Sequence, residues 1–296
     1  MSRFSLPKAA CAALMLSLTA LPAMADMISE KFAAYDNTNT QIVDYSPMAT
    51  FMGAYCTETS KRTACAYGAI DQRGKIYLSK YETYLSRIPV STLNKDEQLA
   101  FWLNTRNLLI VHAIADARNS RTIKNGRGTF DAPGDMWTEK RITIEGQELS
   151  IDDIERYILL ENFDNPNVIY GMYQGTKSGP ALHSTGFRGA TVQAELAALG
   201  EAFVNSRDGL RVRRDTASLN AIYDWYAPAL FDGDEQALRE HLASFASGKR
   251  AQGLAQATGF STAKFSYSTD NYVIRQQTPQ ARIGQGGGAA VASGGS

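Results

Sequence analysis

Four polar residues on one predicted helix, Glu97, Asn104, Asn107 and His112, have types and spacing that could do chemistry. At about 100° per residue they fall within about 140° of one another. A carboxylate and an imidazole able to carry protons would thus share a face with two amides able to orient a polar ligand. The same stripe has a structural use, in which its amides and imidazole hydrogen-bond loop backbone, because an unpaired buried amide costs about 1–3 kcal/mol. A second candidate is the turn GTKSGPAL at 175–182. There Gly175 and Gly179 permit close backbone approach or positive φ, Lys177 supplies charge, and His183 follows Ser178 by five residues. Ser178 could act as a nucleophile only with a base in hydrogen-bond reach. Its setting is Gly-x-x-Ser-Gly, not the Gly-x-Ser-x-Gly of a nucleophile elbow, so a plain strand-exit turn competes with that reading. Among the aromatic residues, Trp102, Trp225 and Tyr226 read as core packing. Trp137 lies in a loop-like segment and is the ring best placed to stack on a sugar or peptide.

Other chemistry is poorly supported. His112, His183 and His241 are widely separated and no His-Glu-x-x-His occurs, so no metal site is expected. Ser261-Thr262-Ala263-Lys264 and Ser268-Thr269-Asp270-Asn271 resemble fragments of penicillin-interacting enzymes. They lie too close together, and no Lys-Thr-Gly follows. No phosphate-cradling loop appears, and no cofactor is implied. Cys56 and Cys65 form a closely spaced pair without the two-residue spacing of a redox motif, and are expected to form a disulfide in an oxidising compartment.

These groups must be positioned by regular elements. Asn94 with Glu97 opens the most informative helix, which runs through QLAFWLNTRNLLIVHAIADA to about Ala117. Apolar residues cover nearly every direction around it, so it belongs in the core. A helix is expected over Ile76 to Ile88, ended by Pro89, and a shorter one capped by Ser46 after a strand-like Val43-Asp44-Tyr45. RNSRTIKNGRGTFDAPGDMW reads as a long loop, KRITIEGQELS as a hairpin turning at Glu145-Gly146, and Ser150 with Asp153 as a capping box. VIYGMY reads as a buried strand, Thr191 to Val204 as a helix and LRVRR as a strand. Ser218 would cap an aromatic helix; Asp232 with Glu235 would open another that Gly248 terminates; KFSYS and YVIRQ would be closing strands.

Residues 1–25 have a basic stretch with Arg3 and Lys8, an apolar core from Ala9 to Leu21, and a small-residue cleavage site at Ala23-Met24-Ala25. The apolar core holds about 13 residues, whereas a membrane-crossing helix needs roughly 20. Lys8-Ala9-Ala10 before Cys11 lacks the aliphatic residue of a lipid-attachment box. A cleaved secretory signal is therefore expected, with no membrane anchor afterwards and a periplasmic or secreted protein. Thirty basic and thirty acidic residues balance in the full chain, and losing Arg3 and Lys8 leaves it slightly acidic. Such a charge provides no general field for nucleic acid. Residues 26–283 are expected to form a single globular domain, and the Gly/Ser-rich 284–296 a disordered tail.

Several pieces, in order, resemble the family of domain of unknown function 547: VDY at 43–45, DEQLAFWLNTRNLLIVHA at 96–113, LSIDDIERYIL at 149–159, GTKSGPAL at 175–182 and LNAIYDWY at 219–226. The similarity spans roughly residues 76–230. It implies one compact domain, found in bacteria and plants, and a set of motif positions without an agreed reaction. The chain departs from the pattern at Arg106, where family members often have Tyr between two Asn, and at Arg156, where His is common. It also departs at Gln174 and Gly179, where many bacterial members have cysteines. A catalytic cysteine at that turn is therefore excluded here. The expected architecture is α+β, a mainly helical single domain with a buried central helix and a small sheet. The expected function is a binding module for a peptide, glycan or small polar ligand, with Asn104, Asn107, Trp137 and Lys177 as ligand contacts. The alternative is a hydrolase drawing acid–base groups from Glu97, His112 or His183, with Ser178 nearby.

Overall fold

The computed structural model describes residues 20–59, 62–117 and 121–272, with side chains from residue 25 onward. Most of the expected signal, the strand YVIRQ after its first residue and the 284–296 tail lie outside the described residues. The architecture is mainly helical α+β, as expected. Its axis is α4 (Lys95–Asp116), which Asn94 caps by accepting from Glu97 N at 2.9 Å. Asp96 and Glu97 in its first turn complement the helix dipole. Every residue from Glu97 to Val111 is buried, which is the consequence of apolar residues on all sides.

The other elements wrap this axis. α1 (Ala20–Phe32) buries Ile28 and Phe32, the latter edge-on to Trp102 with ring centroids 4.9 Å apart. α2 (Ser46–Tyr55) leads into the hairpin β1 (Cys56–Glu58) and β2 (Thr63–Cys65), in which Cys56 faces Cys65 directly. That register brings their sulfurs to disulfide distance. α3 (Gln72–Leu85) packs along α4, capped by Asp71, which accepts from Gly74 N at 3.0 Å. After α4 come two single-turn helices, α5 (Lys124–Arg127) and α6 (Asp135–Thr138), in the stretch expected to be a loop. The hairpin β3 (Ile142–Ile144) and β4 (Gln147–Leu149) turns at Glu145 and Gly146, both at positive φ. The Ser150–Asp153 capping box then opens α7 (Ile151–Asp153), continued by a π-helical segment (Ile154–Leu159) and α8 (Leu160–Asn162).

VIYGMY is helical rather than a strand. Its first four residues form α9 (Val168–Gly171), all buried, because a short apolar run alone does not distinguish the two states. A Cβ on Gly171 would lie 2.6 Å from Leu196 Cδ2, so the glycine lets α9 press against α10 (Val192–Val204). A three-stranded sheet follows: β5 (Leu210–Arg213) antiparallel to β6 (Thr216–Leu219), and β6 parallel to β7 (Gly259–Thr262).

Several local expectations are corrected. Val43–Tyr45 forms no strand, because Val43 N donates to Glu97 Oε1 at 2.9 Å instead of to a ladder. Ser46 is the first residue of α2 rather than its cap; its backbone N–H is taken by Asp44 Oδ1 at 2.9 Å. Ser218 lies in β6, and Asn220 caps α11 (Ala221–Leu230) by accepting from Ile222 N. Asp232 and Gly233 adopt left-handed φ, which moves the cap of α12 (Glu235–Phe245) to Asp234. Gly248 opens α13 (Gly248–Gln256) rather than ending α12. KFSYS is extended, joined to neighbouring segments by isolated bridges such as Thr122 with Ser268.

Candidate functional site

The polar stripe of α4 is turned inward, and most of it holds backbone. Glu97 Oε1 accepts from Val43 N, and Oε2 accepts from Gly189 N at 3.1 Å, so one carboxylate ties two distant segments to the helix start. Asn104 is matched at both ends of its amide. Nδ2 donates to Phe187 O and Oδ1 accepts from Phe187 N, each at 2.8 Å. Gly186 at positive φ lets the chain curl into this embrace. Asn107 Nδ2 donates to Gly171 O at 2.9 Å, while Oδ1 accepts from Tyr173 N and Arg106 Nη1, both at 3.2 Å. These three side chains share the inside of the fold, and each holds the backbone of a distant segment. His112 lies apart at the helix edge, with Nδ1 2.7 Å from Glu82 Oε1 and Nε2 3.4 Å from Asp116. Burial opposes its protonation, but the hydrogen bond and charge of Glu82 and the charge of Asp116 outweigh it and raise its pKa.

Ser178 and His183 are not joined by a hydrogen bond. Ser178 Oγ accepts from Ser266 N at 2.9 Å and its carbonyl accepts from Asn220 Nδ2 at 2.8 Å, so the residue fastens the turn to α11 and to the final segment. His183 packs against Phe187 with ring centroids 4.7 Å apart, and its buried Nδ1 has no partner among the described residues. Burial depresses its pKa. Trp137 is fully covered, with Nε1 3.4 Å from Glu155 Oε2, and offers no exposed face.

What covers Trp137 is a charged core that sequence reasoning missed. Glu155 on the π-helical segment accepts from Arg106 Nε at 3.1 Å, from Arg106 Nη2, and from Tyr226 OH at 2.8 Å. Arg106 Nη1 also donates to Tyr173 O at 2.7 Å. Arg127 lies between Trp137 and Trp225, its guanidinium carbon 5.0 and 4.4 Å from their centroids, and donates to Gln174 Oε1 at 3.1 Å. Gln174 Nε2 in turn donates to Tyr226 OH. Burial alone would raise the Glu155 pKa; the charges of Arg106 and Arg127 and the bonds from Arg106 and Tyr226 reverse that and lower it. The available signal was Arg106 itself. A charge in a helix that is apolar all round requires a buried counter-ion.

Lys177 lies elsewhere, on the wall of a cleft of about 910 Å³ between the β1–β2 hairpin, the 176–181 turn, α10 and the start of β5. Arg62, Arg207 and Arg211 line the same cleft, against the acidic Asp208 and Asp270. Arg62 is set in place by donating from Nη1 to Thr176 O at 2.7 Å and from Nη2 to Gly179 O at 2.9 Å. Arg211 donates to Arg207 O at 2.6 Å and lies 3.7 Å from Asp208. Among the described residues, no carboxylate lies within ion-pair distance of Arg62, Lys177 or Arg207. The cleft therefore carries unneutralised positive charge.

Deeper in the cleft, Asp270 is only 2 % exposed. Tyr173 OH donates to Asp270 Oδ1, Tyr67 OH lies 2.5 Å from Tyr173 OH, and Asp270 Oδ2 has no hydrogen-bond partner among the described residues. Burial raises the Asp270 pKa above the ordinary carboxylate value, against the lowering effects of Tyr173 and Arg62. Tyr173 links this group to the charged core, since its carbonyl accepts from Arg106 and its amide donates to Asn107. Neither Arg62 nor Asp270 was legible as a site, because segments far apart in sequence bring them together. Among the described residues there is no group of three or more His, Cys, Asp and Glu that could hold a metal ion.

No curated protein and no solved structure matches the chain. Residues 90–204, from the turn before α4 to the end of α10, match the family described as "Protein of unknown function, DUF547".

Proposed function

We propose that this protein is an exported binding module, periplasmic or secreted, that takes a small polar ligand bearing an anionic group in the cleft beside Lys177. The observation that carries this reading is the presence of Arg62, Lys177 and Arg207 around one cavity with no carboxylate within ion-pair distance of any of them among the described residues. Positive groups converging in a concave site attract and orient an anion, and the surrounding low-dielectric walls strengthen the attraction. A cleft of about 910 Å³ is large enough for a small molecule or the end of a short peptide. Export rests on the ordered basic, apolar and small-residue parts of residues 1–25. The hydrolase alternative finds less support, because Ser178 Oγ already accepts from a backbone amide and no hydrogen bond joins it to His183.

The test is a thermal-shift series with citrate, sulfate, phosphate, a neutral sugar and a short peptide. Anions should raise Tm in a saturable way, and added salt should weaken the effect by screening. Stabilisation by the neutral sugar alone would overturn the reading.

A further inference from the structure

The cationic wall explains why an anion would enter the cleft, but not what Asp270 Oδ2, a carboxyl oxygen without a partner among the described residues, would do there. We propose, building on the binding reading above, that Asp270 contacts the ligand as a protonated acid, donating from Oδ2 to an oxygen of a bound oxyanion such as a carboxylate, sulfate or phosphate.

The geometry distinguishes the two oxygens of Asp270. Oδ1 already accepts from Tyr173 OH, and Tyr173 OH is itself paired with Tyr67 OH. Oδ1 is therefore committed as an acceptor, and the proton belongs on Oδ2, which is buried and has no hydrogen-bond partner among the described residues. A buried polar atom without a partner is costly, and a ligand oxygen would relieve that cost. An ionised Oδ2 would instead repel the anion that the cleft's cations attract. Burial also favours the neutral acid, because it strips water from the charged form.

Several groups bear on this proton. Arg62, from the β1–β2 hairpin, favours the carboxylate and sets a limit on how far burial can raise the pKa. Tyr67 and Tyr173 contribute hydroxyls; Lys177, Arg207, Arg211 and Asp208 stand around the cleft. Glu58, on the same hairpin, acts on His183, and Arg121 meets the adjoining segment by accepting from Thr269 N at its carbonyl. An anion bound beside Asp270 adds negative charge to this balance and holds the proton more firmly. Binding should therefore take up a proton wherever free Asp270 is ionised.

The experiment is isothermal titration calorimetry with sodium sulfate, which does not titrate in the range used. It is run from about pH 4 to about pH 8 in buffers of differing ionisation enthalpy. Wild type should take up as much as about one proton per sulfate, and its association constant should fall by up to about tenfold per pH unit above the free Asp270 pKa. Asp270→Asn, which keeps an acceptor for Tyr173 and a permanent donor at the other position, should abolish the uptake and flatten the pH profile. Sulfate binding that weakens in Lys177→Gln but shows the same uptake and pH profile in wild type and Asp270→Asn would overturn this inference and leave the cationic cleft standing. Sulfate binding unaffected by Lys177→Gln and Arg207→Gln, or no sulfate binding at all, would overturn both.

Discussion

Glu155→Gln removes one negative charge from a core that holds two guanidiniums. Glu155 and Arg106 are both fully buried, and the carboxylate accepts from Arg106, Tyr226 and Trp137. A glutamine keeps the shape but turns an NH₂ toward donors at one of its two ends. It also leaves Arg106 and Arg127 without a counter-charge among the partners described. Breaking a buried pair by neutralising one member costs about 3–5 kcal/mol, a large part of the roughly 5–15 kcal/mol that holds a domain folded. With a shift of about 2–4 °C per kcal/mol for a domain of this size, Tm should drop by about 6–20 °C. Urea unfolding followed by tryptophan fluorescence is the assay, since Trp102 and Trp137 are both buried and become exposed on unfolding. Arg106→Met and the double variant complete a cycle, in which the double should be less destabilised than the sum of the singles by at least about 1 kcal/mol. The sign of the acid dependence follows from the lowered Glu155 pKa. Its contribution is full above its ordinary value of 4.5 and is lost as pH falls through the lower folded value. Glu155→Gln should therefore blunt the acid limb of the stability profile. A variant within about 0.5 kcal/mol of wild type, the range of an ordinary surface change, would refute the buried ion cluster.

Asn104→Ala should cost about 2–4 kcal/mol in the same urea assay, since it leaves both backbone groups of Phe187 unpaired in the core; unchanged stability would return Asn104 to candidacy as a ligand contact. Replacing Cys56 and Cys65 together with Ser should lower stability by about 2–3 kcal/mol, the chain-entropy value for so short a loop, with no further loss on adding reductant. His112 should report a raised pKa by NMR titration. Its stabilising contribution is present below the unfolded pKa of about 6.5 and is lost as pH rises through the folded value, and Glu82→Gln should bring the two values together.

The extent to which the sequence disclosed the molecule depends on the range of the interactions involved. α4 was legible because its pattern is local: Asn94 caps Glu97 N, and apolar residues on all sides require burial. The Ser150–Asp153 capping box and the Glu145-Gly146 turn were legible for the same reason. VIYGMY misled because four to six apolar residues suit a buried strand and a buried helical turn equally, and contact with Leu196 and Leu103 decides between them. Asn104 and Asn107 could be placed inside, but their roles depended on partners some 64 to 83 residues away. The cleft was least visible. Lys177 reads as a charge on a turn, yet Arg62, Arg207 and Asp270 join it only through tertiary contacts, and the Ser268-Thr269-Asp270-Asn271 fragment gives no local sign of them. Trp137 was assigned to the surface because its segment is rich in Gly, Asn and Asp. Two single-turn helices instead fold it over Arg127.

The claim that the cleft receives an anion is tested most directly by calorimetric titration of citrate into wild type and into the Lys177→Gln/Arg207→Gln double variant, at low and at high salt. Citrate should bind wild type with an affinity that weakens with salt, and at least tenfold more weakly, about 1.4 kcal/mol, to the double variant, whose melting temperature should stay close to wild type because both side chains are exposed. Equal affinity in the two proteins would contradict that claim.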